Sequence, residues 1–263
     1  MRILLDARHV RDFGYGTYIR NILKGFAGLG VRHHFLLVTH RADQHEFDGL
    51  GPNFEPVYYE RGDADLPDHI AFPLLARRLR PDLSHIPLAY VPWLMPRPYV
   101  VTVHDLSSLV FEDVGGWRGE LQRMAMRRGM ERANTVMAVS ESTRHDVVSL
   151  LGIRPERVQR IYGAVDPCFT HHEPGPGARA AGPEAWAHER RRVLERYQVN
   201  YPFLLYAGTI RPQKNIPRLV EAFALLRGEL QYVEEWKNLR LIIIGDEISR
   251  YPAVRQAVIQ SRI

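Results

Sequence analysis

RILLDARHVRDFGYGTYIRNILKGFAGL, residues 2–29, opens as a strand and turns into a helix. Arg2 to Asp6 reads as the strand. Gly14, Gly16 and Thr17 then start a helix running to about Leu29, with Tyr18, Ile22 and Phe26 on one stripe at helical spacing. Short apolar strands alternating with amphipathic helices are the signature of parallel α/β architecture, and the alternation continues through most of the chain.

Further strands are expected at His34 to Thr39, Phe54 to Tyr59, Leu83 to Ile86, Val100 to His104, Thr135 to Val139 and Val158 to Tyr162. VVTVH at 100–104 and TVMAV at 135–139 are continuous apolar runs of the kind that central parallel strands show. Helices are expected over Leu66 to Leu79, stopped near Pro81, and over Trp117 to Ala133. A third starts at Ser140 as N-cap, with Glu141 to Thr143 as first turn, and ends at Gly152. HHEPGPGARAAG, residues 171–182, is rich in Pro and Gly and lacks periodicity, which marks a linker or exposed loop. Beyond it lie a charged helix (Ala185 to Tyr197), a strand (Phe203 to Ala207), a helix (Asn215 to Leu226), a strand (Leu239 to Ile244) and a last short helix from about Pro252.

The expected organisation is therefore a complete Rossmann-like domain at 1–168, a linker and helix at 169–200, and the opening β-α-β of a second Rossmann-like domain at 201–263. Two strands and two helices cover each other's apolar faces poorly, and a full second domain would require roughly another hundred residues. The chain is expected to be a fragment, or to have its open sheet edge covered.

Composition sets broad bounds. The 263 residues are 45% hydrophobic and 25% charged, and the formal net charge is +5. That suits phosphate-bearing partners without choosing among them. The basic residues are dispersed, so nucleic acid is the weaker reading. The single cysteine, Cys168, excludes a disulfide framework and fits a reducing compartment. The longest apolar runs are strand-sized and no signal-peptide core is present, so a soluble cytoplasmic protein is expected.

Three segments could carry chemistry. Glycines before a helix let backbone N–H groups approach a phosphate, so Gly14 and Gly16 suit an anion; a tight strand-to-helix turn explains them equally well. His104 and Asp105 stand at the C-terminal end of a buried strand, where ligands of open α/β sheets bind. A histidine there can donate to a sugar hydroxyl or to developing charge; the plain alternative is a histidine satisfied by neighbouring loops. In YAGTIRPQKNIPRLVEAF, residues 206–223, Arg211 and Lys214 follow the strand, Asn215 can cap the next helix, and Pro217 suits its first turn. Two cations beside a helix N-terminus fit a departing diphosphate; a solvated basic turn is the alternative.

Taken in series, four stretches resemble glycosyltransferase family 4, the retaining GT-B enzymes. They are DAR…GYGTYIRNIL (from 6), VTVHDLSSLVF (101–111), AVSESTRHDVVSLLGI…RVQRIYGAVDPCF (138–169) and LYAGTIRPQKNIPRLVEAF (205–223). Within that family the look is of bacterial mannosyltransferase-like members acting on cell-surface polysaccharides or lipid-linked acceptors. The resemblance implies a GT-B fold of two Rossmann-like domains facing across a cleft, the acceptor mainly on the first and the nucleotide sugar on the second. It implies Gly16 near the donor diphosphate and His104 facing the donor sugar, with Lys214, by its distance from Gly208, on the diphosphate. It implies Ser140, Glu141 and the turn from Gly163 to Asp166 near the cleft, beside Gly14 and Asp105. No metal or cofactor is expected, the protein cations acting instead; the donor is a nucleotide diphosphate sugar, with GDP-mannose as the leading candidate. Two positions depart from the family pattern. Thr209 stands where an arginine is common, which leaves Arg211 to substitute. The family's paired glutamates, which hold donor sugar and ribose, would fall after Ile263.

The segment WRGELQRMAMRRGMER, residues 117–132, reads in two ways. It could lie against an anionic membrane bearing a lipid-linked acceptor. More simply, it is a helix with its apolar stripe on the sheet and its arginines in water, and this second reading is the expected one. The leading functional expectation is hexose transfer from a nucleotide sugar, in the cytoplasm or at the inner membrane face. The alternative is a non-catalytic remnant whose open sheet edge pairs with a second copy or a partner chain.

Overall fold

The computed structural model describes residues 1–62, 67–111, 116–166, 169, 183–245 and 250–261. Packing divides the chain into two units, Met1–Pro167 and Cys168–Ile263. Cys168 and residues 170–182, most of the expected linker, lie outside the described residues.

The first unit is built on seven parallel strands: β1 (Arg2–Asp6), β2 (His34–Thr39), β3 (Phe54–Tyr58), β4 (Leu83–Ile86), β5 (Tyr99–Val103), β6 (Thr135–Ala138) and β7 (Val158–Arg160). Their order across the sheet is β3-β2-β1-β4-β5-β6-β7. The helices are α1 (Tyr15–Gly28), α2 (Asp68–Leu79), α3 (Ser107–Phe111), α4 (Trp117–Arg132) and α5 (Glu141–Leu151). Two apolar layers sandwich the sheet. One joins α1 to β1, β2 and β3 through Ile19, Leu23, Leu5, Phe35 and Phe54. The other joins α2, α4 and α5 to the central strands through Phe72, Met130, Val147, Val101 and Val136.

Local chemistry sets the helix ends. The Ser140 hydroxyl accepts from the Thr143 amide at 3.0 Å, satisfying one of the free donors that begin α5. Gly152 closes the same helix in the left-handed conformation at φ 64°. Some details differ from expectation. On α1 the fully buried positions are Gly16, Ile19 and Leu23, with Tyr18, Ile22 and Phe26 only partly buried beside them. The last strand stops at Arg160, and α2 is described from Asp68, its expected start at Leu66 lying outside the described residues. Residues 41–47, which carry no periodic signal, form a 3₁₀ helix. On α4 the residues turned to the core are Met126, Gly129 and Met130, whereas Trp117, Leu121 and Met124 are exposed. The apolar stripe expected on the sheet is thus divided between two faces.

The second unit contains α6 (Pro183–Arg196), β8 (Phe203–Gly208), α7 (Ile216–Leu230), β9 (Arg240–Gly245) and α8 (Pro252–Ser261). β8 and β9 pair in parallel, and their core is Ile210, Ile216, Val220, Val254 and Ala257. Leu204, Leu205 and Ile244 are exposed. The fold is α/β: a seven-stranded Rossmann-like sheet in the first unit and a two-stranded parallel β-α-β-α arrangement in the second.

Candidate functional site

In the first unit the chain leaves β3 at one edge and re-enters the sheet at β4, on the far side of β1. Connections diverge between β1 and β4, and at such a point ligands of open α/β sheets bind in the crevice outside the C-terminal strand ends. Asp6 ends β1, His85 lies near the end of β4, and His104 follows β5.

The floor of this region is polar and buried. Arg8 donates from Nε and Nη2 to the two Asp6 carboxylate oxygens at 2.8 and 2.7 Å, and from Nη1 to Asp68 at 3.2 Å. Tyr59 donates its hydroxyl to the other Asp68 oxygen at 2.6 Å. The guanidinium also lies over the Phe72 ring, 4.5 Å from its centroid. Burial opposes the Arg8 charge, but Asp6 and then Asp68 outweigh it and hold the group more firmly protonated than usual. Every member of this cluster has a partner, so it fixes the β1–α1 loop and the start of α2 in one geometry.

Beside it, the Thr102 hydroxyl lies 2.8 Å from His85 Nε2 and 3.1 Å from the Tyr18 hydroxyl. Burial, with His104 adding to it, pushes the His85 pKa down to about 4, so this imidazole is neutral near pH 7. Burial raises the Tyr18 pKa in turn. His104 sits between two phenol rings, Tyr15 at 4.9 Å and Tyr18 at 4.8 Å, each edge-to-face. Burial lowers its pKa, against the opposing influence of a hydrogen bond to the Pro87 carbonyl and of Asp105. Its Nε2 is buried and has no hydrogen-bond partner among the described residues. An orphaned polar atom of this kind is uncommon in a folded interior, and here it stands at the crevice.

The remaining expected residues of this unit are placed as follows. Gly14 caps α1 at φ 79°, a conformation that favours glycine. The Gly16 amide donates to the Asp12 carbonyl at 2.9 Å, and a Cβ on Gly16 would lie 2.2 Å from the Val10 carbonyl oxygen. The turn's own packing therefore requires this glycine. Asp105 is exposed and accepts from the Ser107 amide and hydroxyl at 2.9 and 2.5 Å, which organises the turn into α3. Thr143 donates its hydroxyl to the His104 carbonyl at 3.0 Å, so the α5 start capped by Ser140 is tied directly to the histidine. Glu141 is exposed and pairs with Arg144 and Arg160, both at 3.1 Å.

In the second unit, Gly208 ends β8 at φ 152° and Gly245 ends β9 at φ 153°. A Cβ on Gly245 would lie 2.0 Å from the Gly208 carbonyl oxygen, so both strand ends must stay bare. The Tyr206 hydroxyl donates to the Thr209 carbonyl at 3.0 Å. Arg211 and Lys214 bracket a 3₁₀ turn, and both are exposed without an ion-pair partner among the described residues. Asn215 precedes α7 as expected, but its backbone is left-handed (φ 49°) and its side chain makes no capping bond. The first N–H groups of α7 are thus not claimed by that side chain.

Sequence reasoning passed over Tyr15, His85, Thr102 and the Asp6–Arg8–Asp68 cluster. One signal was present: a His inside LSHI and a Thr inside YVVTV are polar side chains in buried strands, and such groups must find partners. Among the described residues no three His, Cys, Asp or Glu side chains converge to hold a metal ion, and no helix is long and apolar enough to cross a membrane.

Comparison with known proteins agrees with this architecture. Residues 14–169 match the family model described as Glycosyltransferase Family 4. Over 148 residues, 56% of the chain, the sequence is 28% identical to the Escherichia coli serotype-specific mannosyltransferase WbdA, covering 16% of that protein. It is 26% identical over 149 residues to the Escherichia coli O-antigen chain mannosyltransferase B, covering 35% of it. The chain thus spans only a minor part of the length of these curated relatives. Among solved structures, a glycosyltransferase from Rickettsia africae ESF-5 matches 99% of the chain with a TM-score of 0.60 at 16% identity, over 65% of its own length. Anabaena Alr3699/HepE in complex with UDP-glucose matches 97% with a TM-score of 0.60 at 14% identity, over 72% of its own length. At such identities these structures speak for the fold alone. The family model covers more than half of the chain, and the chain belongs to Glycosyltransferase Family 4.

Proposed function

We propose that the chain forms the acceptor side and part of the donor side of a glycosyltransferase. The enzyme moves a hexose from a nucleotide diphosphate sugar to a glycan or lipid-linked acceptor. Mannose carried on GDP is the leading donor, because the two curated relatives described above are mannosyltransferases. The observation that carries the reading is the neutral His104 imidazole with its orphaned Nε2 at the crevice.

In this reading Nε2 meets a hydroxyl of the donor sugar. Arg211 and Lys214 meet the diphosphate as the bond to the anomeric carbon breaks, offsetting its growing charge. The acceptor oxygen then bonds to the anomeric carbon on the face the diphosphate leaves, through an oxocarbenium-like state, and its proton passes to the departing diphosphate. Configuration is retained. Gly16 lets the backbone come close to the donor diphosphate, and Gly14, Asp105, Ser140 and Glu141 line the acceptor approach. The reaction is assigned to the cytoplasm, at the inner face of the membrane.

The exposed Leu204, Leu205 and Ile244 favour a second reading, a binding module whose second unit is covered by further chain or by a partner. Calorimetric titration with GDP, UDP and their sugars separates the two. Binding of one nucleotide, lost in Lys214→Ala, is the expected result. Absence of binding to all of them would overturn a donor site in this chain.

A further inference from the structure

Helix α4 carries two sets of apolar residues at helical spacing. Met126, Gly129 and Met130 face the core. Trp117, Leu121 and Met124 face water, 69%, 51% and 55% exposed, and Arg128 continues their stripe. Helix α2 repeats the pattern. Phe72 and Ala76 are buried, while Ile70 and Leu74 are more than half exposed and lead to exposed Arg77 and Arg78.

No helix links β4 to β5, and the connecting segment touches both α2 and α4. Its Trp93 stacks on His69 of α2 at 4.2 Å, and its carbonyl accepts from Arg132 of α4 at 2.8 Å. Trp93 and Leu94 are themselves about half exposed. Since α2 and α4 share one core cluster on one side of the sheet, these side chains form a single outward face. A contiguous apolar surface of this breadth on a folded unit marks an interaction site.

Both helices return from the C-terminal edge of a parallel sheet, so their first turns lie at the crevice end. The exposed apolar residues occupy those N-terminal halves, and the unpaired arginines follow behind. Arg77, Arg78 and Arg128 have no ion-pair partner among the described residues. Among the described residues Arg123 and Arg127 pair only with exposed Glu120 and Glu131 of their own helix, at 4.0 and 2.8 Å.

We infer that this face docks on an anionic lipid bilayer, its apolar side chains entering the headgroup boundary and its arginines meeting lipid phosphates. The expected arrangement, with the apolar stripe of α4 against the sheet, would have left that helix nothing to insert. A second copy is the poorer occupant, because a two-fold interface sets the same patch against itself and would oppose the three arginines without ion pairs to three. The inference deepens the proposed function, on which its purpose rests: it brings the crevice to an acceptor held in the membrane.

The test is flotation of the full chain with vesicles of phosphatidylcholine alone and of phosphatidylcholine mixed with phosphatidylglycerol. Binding to the mixed vesicles only, weakened by salt and accompanied by a blue shift of tryptophan emission, is expected. Leu121→Asp with Met124→Asp, and separately Arg77→Glu with Arg128→Glu, should each lower binding about tenfold or more while far-UV circular dichroism and melting stay unchanged. Equal binding to both vesicle types, no binding, or binding unmoved by both variants would overturn the inference. So would a concentration-dependent dimer that Leu121→Asp dissolves. Nucleotide titration without lipid is run in parallel: bound nucleotide with no bound vesicle sinks the membrane inference alone, and the converse sinks the donor-site reading alone.

Discussion

The Nε2 of His85 lies 2.8 Å from the hydroxyl oxygen of Thr102 on the neighbouring strand, beneath the ring of Tyr18. The pair links the sheet to α1, because the same hydroxyl also meets Tyr18. Burial keeps this imidazole neutral, and that makes a prediction about acid.

Unfolded, His85 takes a proton near its ordinary value of 6.5; folded, it does so only near 4. Between these values the unfolded chain binds more protons, so stability falls as pH falls. The contribution is fully present above 6.5 and is lost progressively toward pH 4, on the order of 3 kcal/mol in all. His104, also pushed down by burial, adds in the same direction. Urea midpoints of the wild type should drop between pH 7 and pH 4.5, and His85→Gln should flatten that slope. An unchanged slope in the variant would mean that His85 is not the titrating group.

Arg8 lies between two buried carboxylates and pairs with both. Arg8→Met leaves Asp6 and Asp68 without it and should cost about 3–5 kcal/mol, the usual consequence of orphaning a buried charge. Arg11, more than half exposed and 3.3 Å from Asp43, is the control. Arg11→Ala should change stability by less than about 1 kcal/mol, as exposed pairs do. Urea denaturation of both variants at neutral pH checks the contrast.

Two glycines of α1 should respond in opposite senses to the same methyl group. Gly16→Ala places a Cβ against the Val10 carbonyl and should destabilise by about 1–3 kcal/mol through forced backbone movement. A methyl group on Gly25 would meet nothing within 4 Å. There alanine should stabilise the helix by about 0.5–1 kcal/mol. Thermal melts of the two variants decide it, and equal shifts would refute the close approach.

The physics of each element governs how far it could be read. Strands buried on both faces announce themselves as apolar runs, so the central sheet was legible; Ser140 and Gly152 bracket α5 because capping is a local matter of one side chain and one backbone conformation. The His85–Thr102 bond was not legible, since it depends on β4 lying beside β5, a non-local fact. On α4, residues 117, 121 and 124 and residues 126, 129 and 130 both keep helical spacing, and periodicity alone does not say which set meets the sheet. The His104 position was legible at a strand end; the Tyr15 and Tyr18 rings around it follow from how α1 crosses the sheet, which no local signal encodes.

His104 offers the sharpest separation of fold from function. Its Nε2 is buried without a partner, which costs stability in the unliganded protein, and a residue kept at such a cost is expected to serve a ligand. Phenylalanine preserves the ring between Tyr15 and Tyr18, removes the orphaned nitrogen, and forfeits the bond to the Pro87 carbonyl. These changes oppose one another, so His104→Phe should alter stability by no more than about 1 kcal/mol. Sugar transfer should nevertheless fall by about 10²–10³-fold, the usual effect of removing one donor aimed at developing charge. The measurements are a urea titration and a transfer assay on the same preparation, with nucleotide binding as a third readout expected to stay unchanged. If instead the variant loses several kcal/mol and its activity falls only with the folded fraction, His104 is a packing residue, and the orphaned nitrogen has no bearing on catalysis.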